Sequence, residues 1–120
     1  MKTASFFTYT GPGRVSIARW APRGTPAGFR VYRPLNPTAP MLKMARADYE
    51  PLYQAILAKL DPRQVADDLH HLTDPHEPVL LCWERPPFTQ SNWCHRRMVA
   101  EWFERELGVE VAEVGQGRLL

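Results

Sequence analysis

The sequence predicts an α/β domain with a small, open and mostly parallel sheet of about four strands, flanked by helices in a three-layer, Rossmann-like arrangement. Residues 79–83, VLLCW, form a continuous apolar run of strand length, which is typical of a central strand covered on both faces. Residues 48–60 and 93–107 carry apolar residues at helical spacing. The order of strand, helix and strand over 79–114 indicates a parallel crossover unit.

The first third of the chain is predicted to hold short strands and a long loop. Residues 6–9, FFTY, and 14–18, RVSIA, resemble strands separated by the turn-forming sequence Gly-Pro-Gly at 11–13. Residues 19–40 contain five of the twelve prolines. Because proline interrupts helices, this segment is predicted to be a loop or an extended arm, within a basic proline-rich region at about 19–46.

Two helices are predicted in the middle of the chain. Asp48 is the expected N-cap of the first, which has one apolar face. Asp61 followed by Pro62 indicates the start of the second, which runs through Leu72.

A third helix is predicted after the central strand. Ser91 or Asn92 is its expected N-cap, and Gly108 is expected to end it. The sequence VEVAEV at 109–114 is predicted to be the last strand.

Length and composition predict one domain over residues 1–120. A chain of 120 residues with 44% hydrophobic residues is long enough to bury a core. No stretch approaches the ~20 apolar residues that cross a bilayer, so no membrane partner is expected. Two cysteines are too few for a disulfide scaffold, which favours free thiols and a cytoplasmic location. The oligomeric state is left open.

The charges are distributed unevenly along the chain. Residues 1–47 hold eight Lys or Arg and no acidic residue, whereas residues 48–120 hold seven basic and thirteen acidic residues. Pairing between the two parts would use many of these charges. The alternative is a basic surface that attracts an anionic partner.

The candidate site lies where the central strand ends and the third helix begins. Ligands of open parallel sheets bind outside the carboxyl ends of strands, next to helix N-termini. This rule brings Cys82, Glu84, Cys94, His95 and Arg96 around one crevice.

Two further arginines are placed at the same edge. Arg85 begins the connecting loop, 85–93, which also supplies two aromatic residues, and Arg19 ends the strand RVSIA. The N-terminus of a helix carries a partial positive charge, which disfavours basic side chains there. An anion bound by His95, Arg96 and the helix N-terminus together is one explanation for these residues. The alternative is internal pairing, of Arg97 with Glu101 and of Arg96 with Glu84 or another carboxylate.

Cys94 is a candidate nucleophile or redox-sensitive residue. A thiol in the first turn of a helix, beside His95 and Arg96, has an environment that lowers its pKa. The alternative is a small buried residue that packs under the helix. Cys82, Glu84, Cys94 and His95 offer ligand atoms for zinc, but the spacing is not that of usual zinc sites, and neither a metal nor a cofactor is predicted.

The residues LLCWE, followed by WCHRRMVAEWF and GVEVAEV, resemble the family catalogued as domain of unknown function 488. The resemblance is strongest over residues 79–114 and extends more weakly over most of the chain. It implies a small cytosolic bacterial, archaeal or phage protein with an α/β sheet and a pocket lined by five residues of the motif: Cys82, Glu84, Cys94, His95 and Arg96. Arg19 matches an arginine that ends an early strand in the family. The resemblance implies no known reaction.

Three functions are consistent with these residues. The first is an enzyme-like pocket for a small anion such as a nucleotide, with Arg96 and Arg19 binding the anion, Glu84 as base or orienting group and Cys94 as thiolate. The second is a nucleic-acid-associated protein whose basic arm, 14–46, is interleaved with Trp20, Phe29 and Tyr32. The third is a structural or adaptor domain in which a Glu84–Arg96 pair joins strand to helix.

Overall fold

The computed structural model, which describes residues 1–115, is built around a sheet of five strands, all parallel. The strands in chain order are β1 (Lys2–Ser5), β2 (Arg14–Ser16), β3 (Arg30–Val31), β4 (Val79–Cys82) and β5 (Ala112–Glu113). Their order across the sheet is β3-β2-β4-β1-β5, so β4 lies in the middle. All four residues of β4 are buried, which confirms the predicted central strand and the α/β class.

The first strand does not lie where the apolar residues predicted it. The prediction of residues 6–9 was wrong, because β1 is the polar sequence KTAS at 2–5. Thr3 and Ser5 are fully buried, and each hydroxyl donates a hydrogen bond, to Glu113 Oε1 at 2.6 Å and to the Trp83 carbonyl at 2.9 Å. Buried hydroxyls with partners are compatible with a central strand, but an apolar pattern cannot reveal them.

The proline-rich segment contains the strand that makes the total five instead of four. β3 pairs with β2 through Val15–Arg30 and Ser16–Val31. Two short 3-10 helices follow it, at Arg33–Leu35 and Ala39–Lys43. Only part of the predicted loop is therefore irregular.

Arg14 fastens the irregular part of this segment to the sheet. The Arg14 side chain is largely buried, and its guanidinium donates to the carbonyls of Pro26 at 2.8 Å and Ala27 at 2.7 Å. Its Nε donates to the Gly11 carbonyl at 3.0 Å. One of the eight basic residues of the first 47 therefore has a structural role.

Three helices cover one face of the sheet: α1 (Arg46–Ala58), α2 (Pro62–Thr73) and α3 (His95–Leu107). α3 lies against β1 and β4, α2 lies against β2 and α3, and α1 packs on α3. Loops cover the opposite face, where Tyr9 and Phe29 belong to one apolar cluster with sheet residues such as Leu81. The layer on this second face of the sheet therefore consists of loops and not of helices. No helix in the described range, 1–115, has the length and apolar character to span a membrane.

The helix starts differ from the predictions in two of three cases. Asp61 caps α2 as predicted, and its side chain accepts from the Arg63 amide at 3.0 Å. α1 begins two residues before Asp48, with Ala45 at the N-cap and no side-chain cap.

The predicted caps of the third helix, Ser91 and Asn92, were also wrong. Cys94 is the N-cap of α3, and Gly108 ends the helix in the left-handed conformation as predicted. The Asn92 amide instead donates to the carbonyls of Arg85 at 2.7 Å and Pro87 at 2.8 Å. These bonds shape the loop before α3, so the helix starts only after it.

Candidate functional site

A cavity of about 480 Å³ lies at the carboxyl ends of β2 and β4, beside the start of α3. Five residues that the sequence predicted for the site line it: Arg19, Cys82, Glu84, Cys94 and His95. The parallel sheet explains this arrangement, because neighbouring parallel strands end at the same edge. Of the predicted site residues, Arg85 and Arg96 do not line the cavity.

Arg96 is the largest fully buried side chain of the described residues. Its guanidinium binds both carboxylate oxygens of Glu113, with Nη2 to Oε2 at 2.8 Å and Nε to Oε1 at 3.0 Å. Nη2 also donates to the Glu84 carbonyl at 2.6 Å, and Nη1 donates to Cys82 Sγ at 3.1 Å.

These contacts correct the role predicted for Arg96. Nε and Nη2 are committed to groups of the chain itself, so the guanidinium is not free to bind an external anion. Its carboxylate partner is Glu113 on β5 and not the side chain of Glu84. The carboxylate, 3% exposed, supplies the negative charge that the start of α3 required.

Arg97, the next residue of α3, is also held inside the chain. Its Nη1 donates to Thr3 Oγ1 and to the Val111 carbonyl, both at 2.9 Å. The predicted partner, Glu101, is therefore not the group that holds it. Both arginines of the first turn are explained by contacts with β1, β5 and the residue before β5.

His95 is buried and is held by a backbone group. Its Nε2 lies 2.8 Å from the Ile17 carbonyl, which assigns the ring hydrogen to Nε2 and leaves Nδ1 as an acceptor. Nδ1 faces Cys94 Sγ at 3.8 Å. Burial lowers the pKa of His95 to about 4, the bond to Ile17 opposes this shift, and the charge of Arg96 adds to it.

The burial of neutral His95 predicts a loss of stability in acid. Its folded pKa of about 4 lies below the ordinary value of 6.5, so the unfolded chain binds more protons between these values. We expect the free energy of unfolding to fall by up to about 1.4 kcal/mol per pH unit as the pH drops through this window. His95→Gln should flatten the profile of urea unfolding against pH, whereas the exposed His71→Gln should leave it unchanged. Equal slopes for wild type and His95→Gln would contradict the assignment.

Cys82 and Cys94 are joined as a disulfide that lines the cavity. The expectation of free thiols was therefore wrong, and Cys94 is not a free nucleophile in this state. The sequence could not reveal the pairing, because it depends on β4 and α3 bringing two residues 12 positions apart together.

The same cysteines belong to a group with metal-ligand character. The ligand atoms of Cys82, Cys94 and His95 all lie within 4.8 Å of one another. The disulfide uses both sulfur atoms, and only thiolates bind zinc well. This trio would hold a metal only after reduction.

The cationic and acidic groups that remain accessible are at the rim. Arg19 is exposed, lines the cavity and stacks 5.4 Å from the ring centre of Trp20. Glu84 is half-buried and also lines the cavity. Burial raises the pKa of the Tyr49 hydroxyl, and the charge of Glu84 raises it further, which indicates that the two groups are close. Arg85 points elsewhere, with its guanidinium 4.9 Å from the ring centre of Phe7.

The aromatic wall of the cavity was only partly expected from the sequence, which placed the loop 85–93, ending at Trp93, at this edge of the sheet. Tyr49 and Trp93 line it, with their ring centres 4.8 Å apart in an edge-to-face contact. Trp20 and Trp83 stand at its rim and are 61% and 45% exposed. Trp20 directly follows Arg19 and Trp83 directly follows Cys82, so their positions next to two predicted site residues were the available sequence signal.

A second, larger cavity of about 820 Å³ lies beside α3 and shares Trp93 and Cys94 with the first. Several glutamates line it, among them Glu101, Glu104 and Glu110, with Arg46 and Arg97. This acidic lining does not suit the anion that the sequence predicted.

No family model matches this chain, and neither the curated proteins nor the solved structures include a significant match. The fold and the site are therefore interpreted from their own geometry.

Proposed function

We propose that the cavity at the carboxyl ends of β2 and β4 binds a small ligand that carries a flat ring and an anionic group, as a nucleotide does. The observation that carries this proposal is the position of Arg19 at the rim of a cavity of about 480 Å³ with aromatic walls. Pockets for small ligands commonly have this size, an apolar lining and a few polar groups that fix orientation.

The charges at the rim favour an anion over a neutral ligand. Arg19 forms no ion pair within residues 1–115, so its guanidinium retains its donors for a phosphate or carboxylate. Arg96 has no part in this binding, because its guanidinium already forms an ion pair with Glu113.

The aromatic walls favour a ring. Tyr49 and Trp93 lie inside, and Trp20 and Trp83 lie at the rim. Aromatic faces stack on heterocyclic rings, and such stacking adds to the area that is buried. The Glu84 carboxylate and the Asn92 side-chain carbonyl offer acceptor atoms at the same rim for exocyclic amino groups of the ring or for hydroxyls.

A catalytic step in which Cys94 is the nucleophile, with Glu84 and His95 as the other catalytic residues, requires that the Cys82–Cys94 disulfide is reduced. A sulfur bonded to Cys82 is not a nucleophile, whereas the thiolate is. Binding is thus the function proposed for the disulfide form. Membership of the family of domain of unknown function 488 remains a prediction from the motif residues.

Isothermal titration with the 5′-monophosphates of adenosine, guanosine, cytidine and uridine tests the proposal. We expect at least one to bind with a dissociation constant below about 1 mM, and Arg19→Ala to weaken it about tenfold or more. Arg63→Ala, an exposed arginine of α2 far in sequence from the cavity residues, is the matched control and should bind like wild type. Absence of binding to all four, or equal affinity of Arg19→Ala and wild type, would contradict the proposal.

A further inference from the structure

Three exposed aromatic residues lie at the ends of neighbouring strands, two of them at the rim of the cavity and one beyond it, and we call them the aromatic platform: Phe7, Trp20 and Trp83. Their side chains are 47%, 61% and 45% exposed. They follow the ends of β1, β2 and β4, so three strands of the sheet support them. The small-ligand cavity accounts for Trp20 and Trp83 but not for Phe7, which does not line it.

The platform is held in position by the chain. The Trp83 indole N–H donates to the Trp20 carbonyl at 2.7 Å, which links the ends of β4 and β2. The rings of Phe7 and Trp83 are in edge-to-face contact, 6.4 Å between centres. The Phe7 amide donates to Ser5 Oγ at 3.1 Å. The rings of Phe7 and Trp83, fixed in this way, lose little conformational entropy when they bind a partner.

Two arginines accompany the exposed rings. The guanidinium of Arg19 lies 5.4 Å from the centre of Trp20, and that of Arg85 lies 4.9 Å from the centre of Phe7. Neither forms an ion pair in the described part of the chain. Residues 1–47, which supply the loops after β1 and β2, contain no acidic residue. With two arginines and one carboxylate, that of Glu84, this surface is aromatic and carries a net positive charge.

We propose that the aromatic platform binds single-stranded nucleic acid, with unpaired bases stacked on the rings and phosphates bound by Arg19 and Arg85. Stacking requires bases that are not already paired, and the cations match the phosphate backbone. An apolar protein partner would leave both guanidinium groups without an anion. The basic arm predicted from sequence would use Phe29 and Tyr32 to stack bases. In the structure, Phe29 packs against Phe6, and the Tyr32 hydroxyl donates a hydrogen bond to Asp68.

Fluorescence anisotropy with a labelled ten-residue oligothymidylate and the matching duplex tests this proposal. Wild type should bind the single strand more tightly than the duplex, and its affinity should fall steeply from ~50 to ~200 mM salt. Phe7→Ala and Arg85→Ala should each weaken binding about fivefold or more. Leu52→Ala, at a comparably exposed apolar residue of α1, and Arg63→Ala should not. Quenching of tryptophan fluorescence by the strand in wild type provides a readout that needs no variant.

The Phe7→Ala and Arg85→Ala variants distinguish binding of a single strand from binding of a small ligand, because neither residue lines the cavity. Both variants should keep wild-type affinity for mononucleotides. No binding of the single strand at ~50 mM salt, equal affinity for the duplex, or equal loss in the Leu52→Ala control would overturn the platform and leave the cavity proposal standing.

Discussion

Replacing Arg96 by methionine is expected to lower the free energy of unfolding by about 3–5 kcal/mol, because it leaves a buried carboxylate without its partner. The Arg96 side chain is fully buried and the Glu113 side chain is 3% exposed, so little water can replace the lost contacts. The change also removes the donors to the Glu84 carbonyl and to Cys82 Sγ. A loss of this size is a large part of the stability of an ordinary domain.

Urea denaturation of matched variants measures this effect. Arg63→Met is the surface control and should change stability by less than about 0.5 kcal/mol. The double change of Arg96→Met with Glu113→Leu should recover much of the loss, since no unpaired charge remains in the interior. If Arg96→Met were as stable as the Arg63→Met control, the buried ion pair would not hold α3 to β5.

Reduction of the Cys82–Cys94 disulfide is expected to lower the free energy of unfolding by about 3 kcal/mol. The bond closes a short loop between β4 and the N-cap of α3, and cross-links of about this length restrict the unfolded chain by that amount. Reduction should also release two thiols at the wall of the cavity.

Thermal melts with and without dithiothreitol, together with thiol counting by Ellman's reagent in denaturant, test the disulfide. The oxidised protein should give no reactive thiol and the reduced protein two. The Cys82→Ala, Cys94→Ala double variant is the control, and its melting temperature should not respond to reductant. Two thiols in protein that has never met reductant would contradict the pairing.

The parts of the fold that were predicted correctly depend on local pattern. An unbroken apolar run identified β4, because only a strand covered on both faces needs every residue to be apolar. Asp61 before Pro62 identified the start of α2, since the cap acts within three residues. Gly108 identified the end of α3 for a similar local reason.

The parts that were missed depend on contacts between distant residues. β1 is polar, and its buried hydroxyls are satisfied by Glu113 and Trp83. The partner of Arg96 could not be chosen from sequence, because Glu84 is nearer along the chain. Glu113 is brought close to Arg96 in space by the pairing of β5 with β1. Local spacing alone does not determine such pairs.

The candidate site was predicted in position but not in its chemistry. The rule that ligands bind at the carboxyl ends of parallel strands placed Cys82, Glu84, Cys94 and His95 around one cavity. Their tertiary contacts give them roles other than those predicted, because the two cysteines are paired and His95 is buried. The buried Arg96–Glu113 pair also gives the strand-to-helix connection of the structural hypothesis, with a different carboxylate.

A crystal structure of the protein with the 5′-monophosphate that binds most tightly in titration would test directly whether the cavity at the ends of β2 and β4 binds a nucleotide through Arg19. We expect density for the ring between the aromatic walls of the cavity, with a phosphate oxygen about 3 Å from the Arg19 guanidinium. A cavity without the nucleotide in crystals grown at saturating concentration, or a phosphate bound to Arg96 in place of Glu113, would contradict this expectation.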